Sequence, residues 1–233
     1  MIRVAILIQG RSGSTLLIHL LNKTAGVTCE SEILSRERFA DVHHELYRRS
    51  NDQDDVQKVY GFKFKTRHIE LMQKYPLKEF CSNLNDRGWK IMTLFRRNQL
   101  RSVMSSYLSE ALNRHKLWSH EHHLRETIPA IEVDLKELEQ DLHNRNDDLY
   151  RIRNAVSAFE TLDLEYARDL LQTSSRPRTF KKISDFIGYP LAYSQPDLIK
   201  MAPTDFSGVI TNWSDVCRLI EKSRWSWMLA DRE

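Results

Sequence analysis

Arg3-Val-Ala-Ile-Leu-Ile-Gln-Gly-Arg-Ser-Gly-Ser-Thr-Leu-Leu17 decides the fold. It is an apolar run, then a short Gly/Ser/Thr turn, then an apolar helical pattern. A strand that feeds a glycine-bearing turn into a helix points backbone N–H groups and a positive helix end at one spot. Such a spot suits a phosphate or sulfate group. The turn lacks the Gly-Lys-Ser/Thr ending of a nucleotide-triphosphate P-loop. In place of that lysine stand Gly13 and Ser14, and the cation of the turn is Arg11.

Outward from this stretch, the 233 residues suffice for one sizeable core. The expectation is a single domain spanning 1–233, with a helical, acceptor-side insertion around 115–158. Hydrophobic content of 41% and charged content of 29% exclude a disordered chain. A net charge of +3 allows a local basic pocket and gives no reason to expect nucleic-acid binding. Cys29, Cys81 and Cys217 lie far apart and form no C-x-x-C pair. That pattern fits reduced thiols in a cytoplasmic protein rather than a disulfide framework or zinc site. No apolar stretch approaches the ~20 residues of a membrane span. Nor does Met1 open a signal peptide, so the first strand is expected to begin the mature protein.

Ile2–Ile8 is continuous and apolar, which predicts a buried strand. Leu16, Leu17, Leu20 and Leu21 form a helical stripe over 14–23, and an extended piece follows at Val27-Thr28-Cys29. A polar helix is expected over 34–49, a surface loop over 51–55 and a strand over 59–64. A helix closes over 80–85, and Asp86-Arg-Gly88 turns into a second buried strand, 89–95. Asn98 then caps a helix running to about Leu117. A charged helix over 134–158 shows the stripe Leu135, Leu138, Leu142, Leu149, Ile152 and Val156. The spacing further predicts a strand over 161–166, a helix over 180–187 stopped by Gly188, and a helical, tryptophan-rich end over 206–229. Strands separated by helices predict an α/β three-layer sandwich: a central, mainly parallel sheet with helices on both faces.

The strand Lys90-Ile-Met-Thr-Leu-Phe95 runs into Arg96-Arg97-Asn98, and the next helix carries Arg101, Ser105 and Ser106. Strand ends of parallel sheets project into the ligand crevice. An arginine there, with a serine two helical turns on, makes a second anion site: a guanidinium fork plus a hydroxyl. On these residues alone, solvated strand-end charges paired with surface carboxylates are the favoured reading of Arg96 and Arg97.

Together the two segments resemble a known family. Arg11-Ser-Gly-Ser-Thr-Leu-Leu17 is similar to the 5′-phosphosulfate loop of sulfotransferases that use 3′-phosphoadenosine 5′-phosphosulfate (PAPS). Arg97-Asn-Gln-Leu-Arg-Ser-Val-Met-Ser105 resembles that family's 3′-phosphate signature, and the Arg96-Arg97-Asn98 form is closest to bacterial carbohydrate and glycolipid sulfotransferases. Leu164-Glu-Tyr-Ala-Arg-Asp-Leu170 and Phe180–Gly188 resemble its later strand end and helix terminus. The resemblance covers about forty residues sharply. It implies a P-loop-like sulfotransferase fold and transfer of the sulfuryl group of PAPS to a hydroxyl, with a small-molecule, saccharide or glycolipid acceptor and no metal.

By the same resemblance, Ser12, Gly13, Ser14 and Thr15 hold the 5′-phosphate and Arg11 neutralises the leaving oxygen. Arg97 and Ser105 hold the 3′-phosphate, and Tyr166 lies near the adenine, with a core aromatic as its equal alternative. Lys63 matches a strand-end lysine near the sulfuryl group, although Lys65 alternates onto the same face. Glu32 is the implied base that takes the acceptor proton. Glu30 competes for the role, and so does His68, because Lys65-Thr66-Arg67-His68 imitates a histidine-base segment with one residue added. The C-terminal Arg-Lys-Gly signature of cytosolic sulfotransferases is absent from the sequence, which leaves a second 3′-phosphate clamp unassigned. His115, His120, His122 and His123 match no common zinc spacing. Trp213, Trp225 and Trp227 read as packing residues. A P-loop kinase or NTPase and an inactive nucleotide-binding module are the competing readings. The first lacks the loop lysine and a Mg²⁺-holding aspartate at the end of the second strand.

Overall fold

The computed structural model describes residues 1–113, 117–118, 129–199 and 202–231. In chain order the elements are β1 (Ile2–Ile8), α1 (Ser14–Asn22), β2 (Val27–Ser31), α2 (Val42–Asn51), β3 (Val59–Phe64), α3 (Leu77–Asp86), β4 (Lys90–Phe95), α4 (Gln99–Ala111), β5 (Leu117–Trp118), α5 (Leu135–Val156), β6 (Thr161–Glu165), α6 (Arg176–Ile187), β7 (Leu198–Ile199), α7 (Trp213–Glu221) and α8 (Trp227–Ala230). Two π-helical turns, His68–Met72 and Tyr166–Leu171, follow β3 and β6.

The described residues form two compact units: 1–95 with 148–195, and 96–147 with 196–233. The first holds a five-stranded sheet of order β2-β3-β1-β4-β6 in which every pairing is parallel. From β1 the chain passes to the edge strand β2, returns inward to β3 beside β1, then crosses to β4 on the other side. The C-terminal end of β1 is therefore the switch point where ligands of open α/β sheets bind.

Strand parity sorts the first unit's core into two layers. Ala5, Leu7, Tyr60, Phe62 and Phe64 face one layer with Leu46, Phe80 and Leu84. Val4, Ile6, Ile8, Val59, Met92 and Leu94 face the other, against Leu17, Leu20, Phe180 and Ile183. Both layers are closed to water, and each buried side chain of this size contributes about 1.5–3 kcal/mol.

Within the second unit, α4 packs Leu100, Val103, Met104 and Leu108 against Leu138, Leu142, Val216, Ile220 and Trp225. The pair β5 and β7 is antiparallel. The Asn212 side chain bonds both the N–H and the carbonyl of Val133, as a strand partner would.

Several boundaries differ from expectation for identifiable reasons. The helix expected over 34–49 is instead a short 3₁₀ turn, Ile33–Ser35, followed by α2. Asp41 accepts from the N–H groups of His43 and His44 at 2.9 Å and so opens α2 at Val42, eight residues later than expected. Asn98 caps α4 as expected, accepting from the Arg101 N–H at 3.1 Å. That helix stops at Ala111 rather than Leu117, because Asn113 takes a left-handed φ of 50°. Helix α6 starts at Arg176, with Pro177 in its first turn, and ends on left-handed Gly188 as expected. The helical C-terminus divides into α7 and α8. His115, His120, His122 and His123 lie outside the described residues.

Candidate active site

The turn after β1 leaves the sheet with two left-handed residues, Arg11 at φ 63° and Gly13 at φ 79°. Gly13 is the N-cap of α1, no described side chain caps that helix, and its first turn carries no acid. The N–H groups of the first turn have no carbonyl inside the helix to bond, so a positive, donor-rich end faces out from the switch point. The buried Ser12 hydroxyl donates to the Gln9 carbonyl at 2.6 Å and braces the turn. Its remaining donor toward a ligand is the backbone N–H. Ser14 is buried, Thr15 is exposed and Arg11 is half-buried.

Gly13 has a second constraint. A Cβ there would lie 2.4 Å from Cδ2 and 2.6 Å from Cε2 of Tyr166. The Tyr166 ring therefore lies directly on the loop, carried there by the π-helical turn that follows β6. Glu165 caps that turn, accepting from the N–H groups of Ala167 and Arg168.

On β3, Val59, Gly61 and Lys63 share the face that looks toward α1. The Lys63 side chain is only 3% exposed, and its Nζ donates to the Ser14 hydroxyl at 3.3 Å. The same Nζ lies 3.6 Å from Glu32 Oε1. Lys65 Nζ approaches that oxygen to 3.0 Å, and His68 Nε2 lies 3.7 Å from Oε2. Loop and carboxylate are thus joined through Ser14, Lys63 and Glu32, with Lys65 and His68 beside them. Lys63 on β3 and Lys65 just beyond its end converge on one acid.

Glu30 is excluded from this group. Strict alternation would place Glu30 and Glu32 on one face, but β2 ends at Ser31 and Glu32 is left-handed, with φ 51°. The backbone twist turns Glu32 back toward Lys63. Glu30 stays on the opposite face, where it accepts from the Tyr60 hydroxyl at 2.9 Å and pairs with Arg49 at 3.3 Å.

The charges respond to this packing. Burial raises the Glu32 carboxyl, but Lys65, Lys63 and His68 outweigh it and hold the group below its ordinary value. Burial depresses the Lys63 ammonium; Glu32 opposes the shift and Lys65 adds to it. Burial, reinforced by Lys65, depresses His68 to about 4, so its imidazole is neutral at pH 7. The arrangement is an ionised, half-exposed carboxylate fixed between cations beside an uncapped helix N-terminus.

The second unit holds Arg97 and Ser105. Arg97 is exposed, its guanidinium 5.0 Å from the centroid of the Trp227 ring, and Ser105 is buried on α4. Arg96 is instead buried and donates to the Arg101 carbonyl at 3.2 Å, bracing the start of α4. Trp225 is buried and Trp213 packs beside Phe206, but Trp227 is exposed rather than packed. Sequence reasoning also missed Arg145, which donates to the Ser102 and Ser106 hydroxyls at 2.9 and 2.7 Å. The i, i+4 spacing of those serines was the available signal.

Among solved structures, the sulfotransferase from Alicyclobacillus acidocaldarius matches over 95% of this chain and 95% of its own, with a TM-score of 0.50. The fold is that of a sulfotransferase. At 13% identity the likeness carries the architecture alone. No family model matches the chain, and no curated protein matches it in sequence. Among the described residues, no group of three His, Cys, Asp or Glu side chains could hold a metal. No helix among them is long and apolar enough to cross a membrane.

Proposed function

We propose that this protein transfers the sulfuryl group of PAPS to a hydroxyl of a saccharide, a glycolipid or another small molecule. The observation that carries the reading is the connected set Ser14, Lys63 and Glu32. It ties an anion-binding helix end to a carboxylate within a single group of side chains. The 1–95 and 148–195 unit holds this set, and both units are read as parts of one catalytic domain in the cytoplasm.

The residues present suit the donor. An uncapped helix end with no acid in its first turn accepts an anion, and Gly13 lets a ligand approach the backbone. Ser12, Gly13, Ser14 and Thr15 offer the 5′-phosphate backbone N–H and hydroxyl donors. Arg11 and Lys63 offset charge on the leaving oxygen and the sulfuryl oxygens. Arg97 and Ser105 hold the 3′-phosphate, and Tyr166 borders the nucleoside. The donor supplies an activated sulfuryl group, and the protein supplies position and charge.

Glu32 takes the acceptor proton as the acceptor oxygen bonds to sulfur and the bond from sulfur to the bridging 5′-phosphate oxygen breaks. The electron pair of that bond leaves with 3′,5′-adenosine bisphosphate, and the proton remains on Glu32 until water removes it. No step requires a metal.

A thermal-shift comparison followed by a transfer assay tests the reading. PAPS or 3′,5′-adenosine bisphosphate should raise the melting temperature without Mg²⁺, and ATP with Mg²⁺ should do little. Stabilisation by ATP with Mg²⁺ alone would instead favour a kinase or NTPase. Bisphosphate binding without transfer to any of a panel of hydroxyl acceptors would leave an inactive nucleotide-binding module.

A further inference from the structure

His68 is buried, charged neighbours surround it, and the proposed reaction does not use it. Its ring is fixed by local backbone. His68 opens the π-helical turn His68–Met72, three residues after Lys65. The Lys65 N–H donates to His68 Nδ1 at 3.2 Å, and the His68 N–H donates to the Lys65 carbonyl at 3.0 Å. The first bond caps the Lys65 N–H as the glutamate or glutamine half of a capping box would, and the second is a backbone i→i+3 turn bond.

The cap dictates the tautomer. A neutral imidazole has one donor and one acceptor nitrogen. With Nδ1 accepting, the hydrogen sits on Nε2. That Nε2 is buried and has no hydrogen-bond partner among the described residues. Glu32 Oε2 lies 3.7 Å away, beyond hydrogen-bond reach by a few tenths of an ångström. A buried donor without a partner is costly, so the ring exerts a standing pull on this carboxylate. The residue whose N–H fixes the ring, Lys65, also holds Glu32 through its ammonium at 3.0 Å.

We propose that His68 is a positioning residue: its Nδ1 is tied to the Lys65 backbone, and its Nε2–H steadies Glu32 while Glu32 accepts the acceptor proton. The proposal rests on the reading of Glu32 as the base. It also removes His68 from candidacy as the base. The Nδ1 lone pair is already engaged, and the Nε2 lone pair is absent from this tautomer. The depressed basicity of the ring agrees, set by burial and by Lys65, Arg67 and Lys63 against the opposing pull of Glu32.

The first test needs no turnover. In protein labelled with ¹⁵N-histidine, with His68 assigned by its loss in His68→Gln, the ring should remain the neutral Nε2–H tautomer from about pH 8 to about pH 5. An Nδ1–H tautomer, or titration at the ordinary histidine value, would overturn the proposal. The second test compares two variants kinetically. His68→Asn keeps an acceptor near Nδ1 and loses the distal donor, so kcat should fall about tenfold at constant KM, the rate equivalent of one hydrogen bond. His68→Gln restores a distal N–H and should recover most of that loss. Equal kcat in the two variants, or a loss in both as large as that of Glu32→Gln, would refute positioning. Failure of the site reading looks different: the native protein then transfers no sulfuryl group, and the catalytic role of His68 falls with it.

Discussion

Glu32 Oε1 lies 3.0 Å from Lys65 Nζ, an ion pair formed because Glu32 turns left-handed at the end of β2. Glu32→Gln keeps the shape and removes the base. Turnover should fall about 10²- to 10⁴-fold, the usual contribution of a general base. Binding of 3′,5′-adenosine bisphosphate, followed by thermal shift, should persist. Glu30→Gln provides the contrast, since Glu30 faces Tyr60 and Arg49. It should leave turnover at the native level. A reversal of the two outcomes would place the base on the other side of the sheet.

The pH profile tests Glu32 against a base of ordinary histidine basicity; His68, held at about 4, would give a similar acid limb and is separated by its variants instead. The Glu32 carboxyl is held below its ordinary 4.5, so it remains ionised as pH falls through the mildly acidic range. The acid limb of kcat/KM should therefore lie below 4.5, measured by brief pH jumps that outrun unfolding. A limb near 6.5 would point to an ordinary histidine as the base.

Much of the fold was legible because its signals are local. The apolar runs of β1, β3 and β4, the glycine turn and the Asn98 cap each depend on neighbours in sequence. The site was half legible for the same reason. Lys63 and Lys65 share a face by alternation, and both do reach Glu32. Alternation could not separate Glu30 from Glu32, because one left-handed residue reverses it and nothing in a glutamate's identity announces positive φ. The early end of α4 escaped likewise: Asn113 stops it through a left-handed turn that the apolar periodicity does not register. Arg97 over Trp227 joins residues 130 positions apart, and no spacing rule reaches that far.

Gly13→Ala tests whether the loop geometry is obligatory. A left-handed alanine costs about 1–2 kcal/mol on backbone grounds alone. Its methyl group would also meet the Tyr166 ring at 2.4 Å. Urea unfolding should show a loss larger than the backbone figure, and bisphosphate binding should weaken. Tyr166→Ala in the same chain should recover the steric part of the loss and leave the backbone part. Full recovery would mean that the left-handed turn is not required.

Arg97→Ala addresses the donor's distinguishing group. If Arg97 holds the 3′-phosphate, the native protein binds 3′,5′-adenosine bisphosphate more tightly than 5′-AMP, and the variant treats the two alike. Charge-assisted hydrogen bonds of this kind contribute about 1.5–3 kcal/mol, or about ten- to a hundredfold in affinity by calorimetry. A preserved preference for the bisphosphate would move the clamp to another cation.

His43 predicts the acid sensitivity of the fold. Its ring is stacked on Phe80 with centroids 5.1 Å apart and meets Tyr75 edge-on at 5.5 Å. Both ring nitrogens are buried without a hydrogen-bond partner among the described residues. Burial, with Arg87 adding, depresses the imidazole below its ordinary 6.5 against the pull of Asp41 and Glu79. The unfolded chain therefore takes up this proton first. Stability is fully present above 6.5 and declines as pH falls through that value toward the folded one. His43→Phe should raise stability at pH 7 by about 1 kcal/mol, because it deletes unsatisfied polar atoms from an aromatic niche. It should also flatten the fall in urea-unfolding free energy between about pH 7 and about pH 5, leaving the part that belongs to His68. A variant with the full native slope would show that His43 remains neutral, or finds a partner, in the unfolded chain as well.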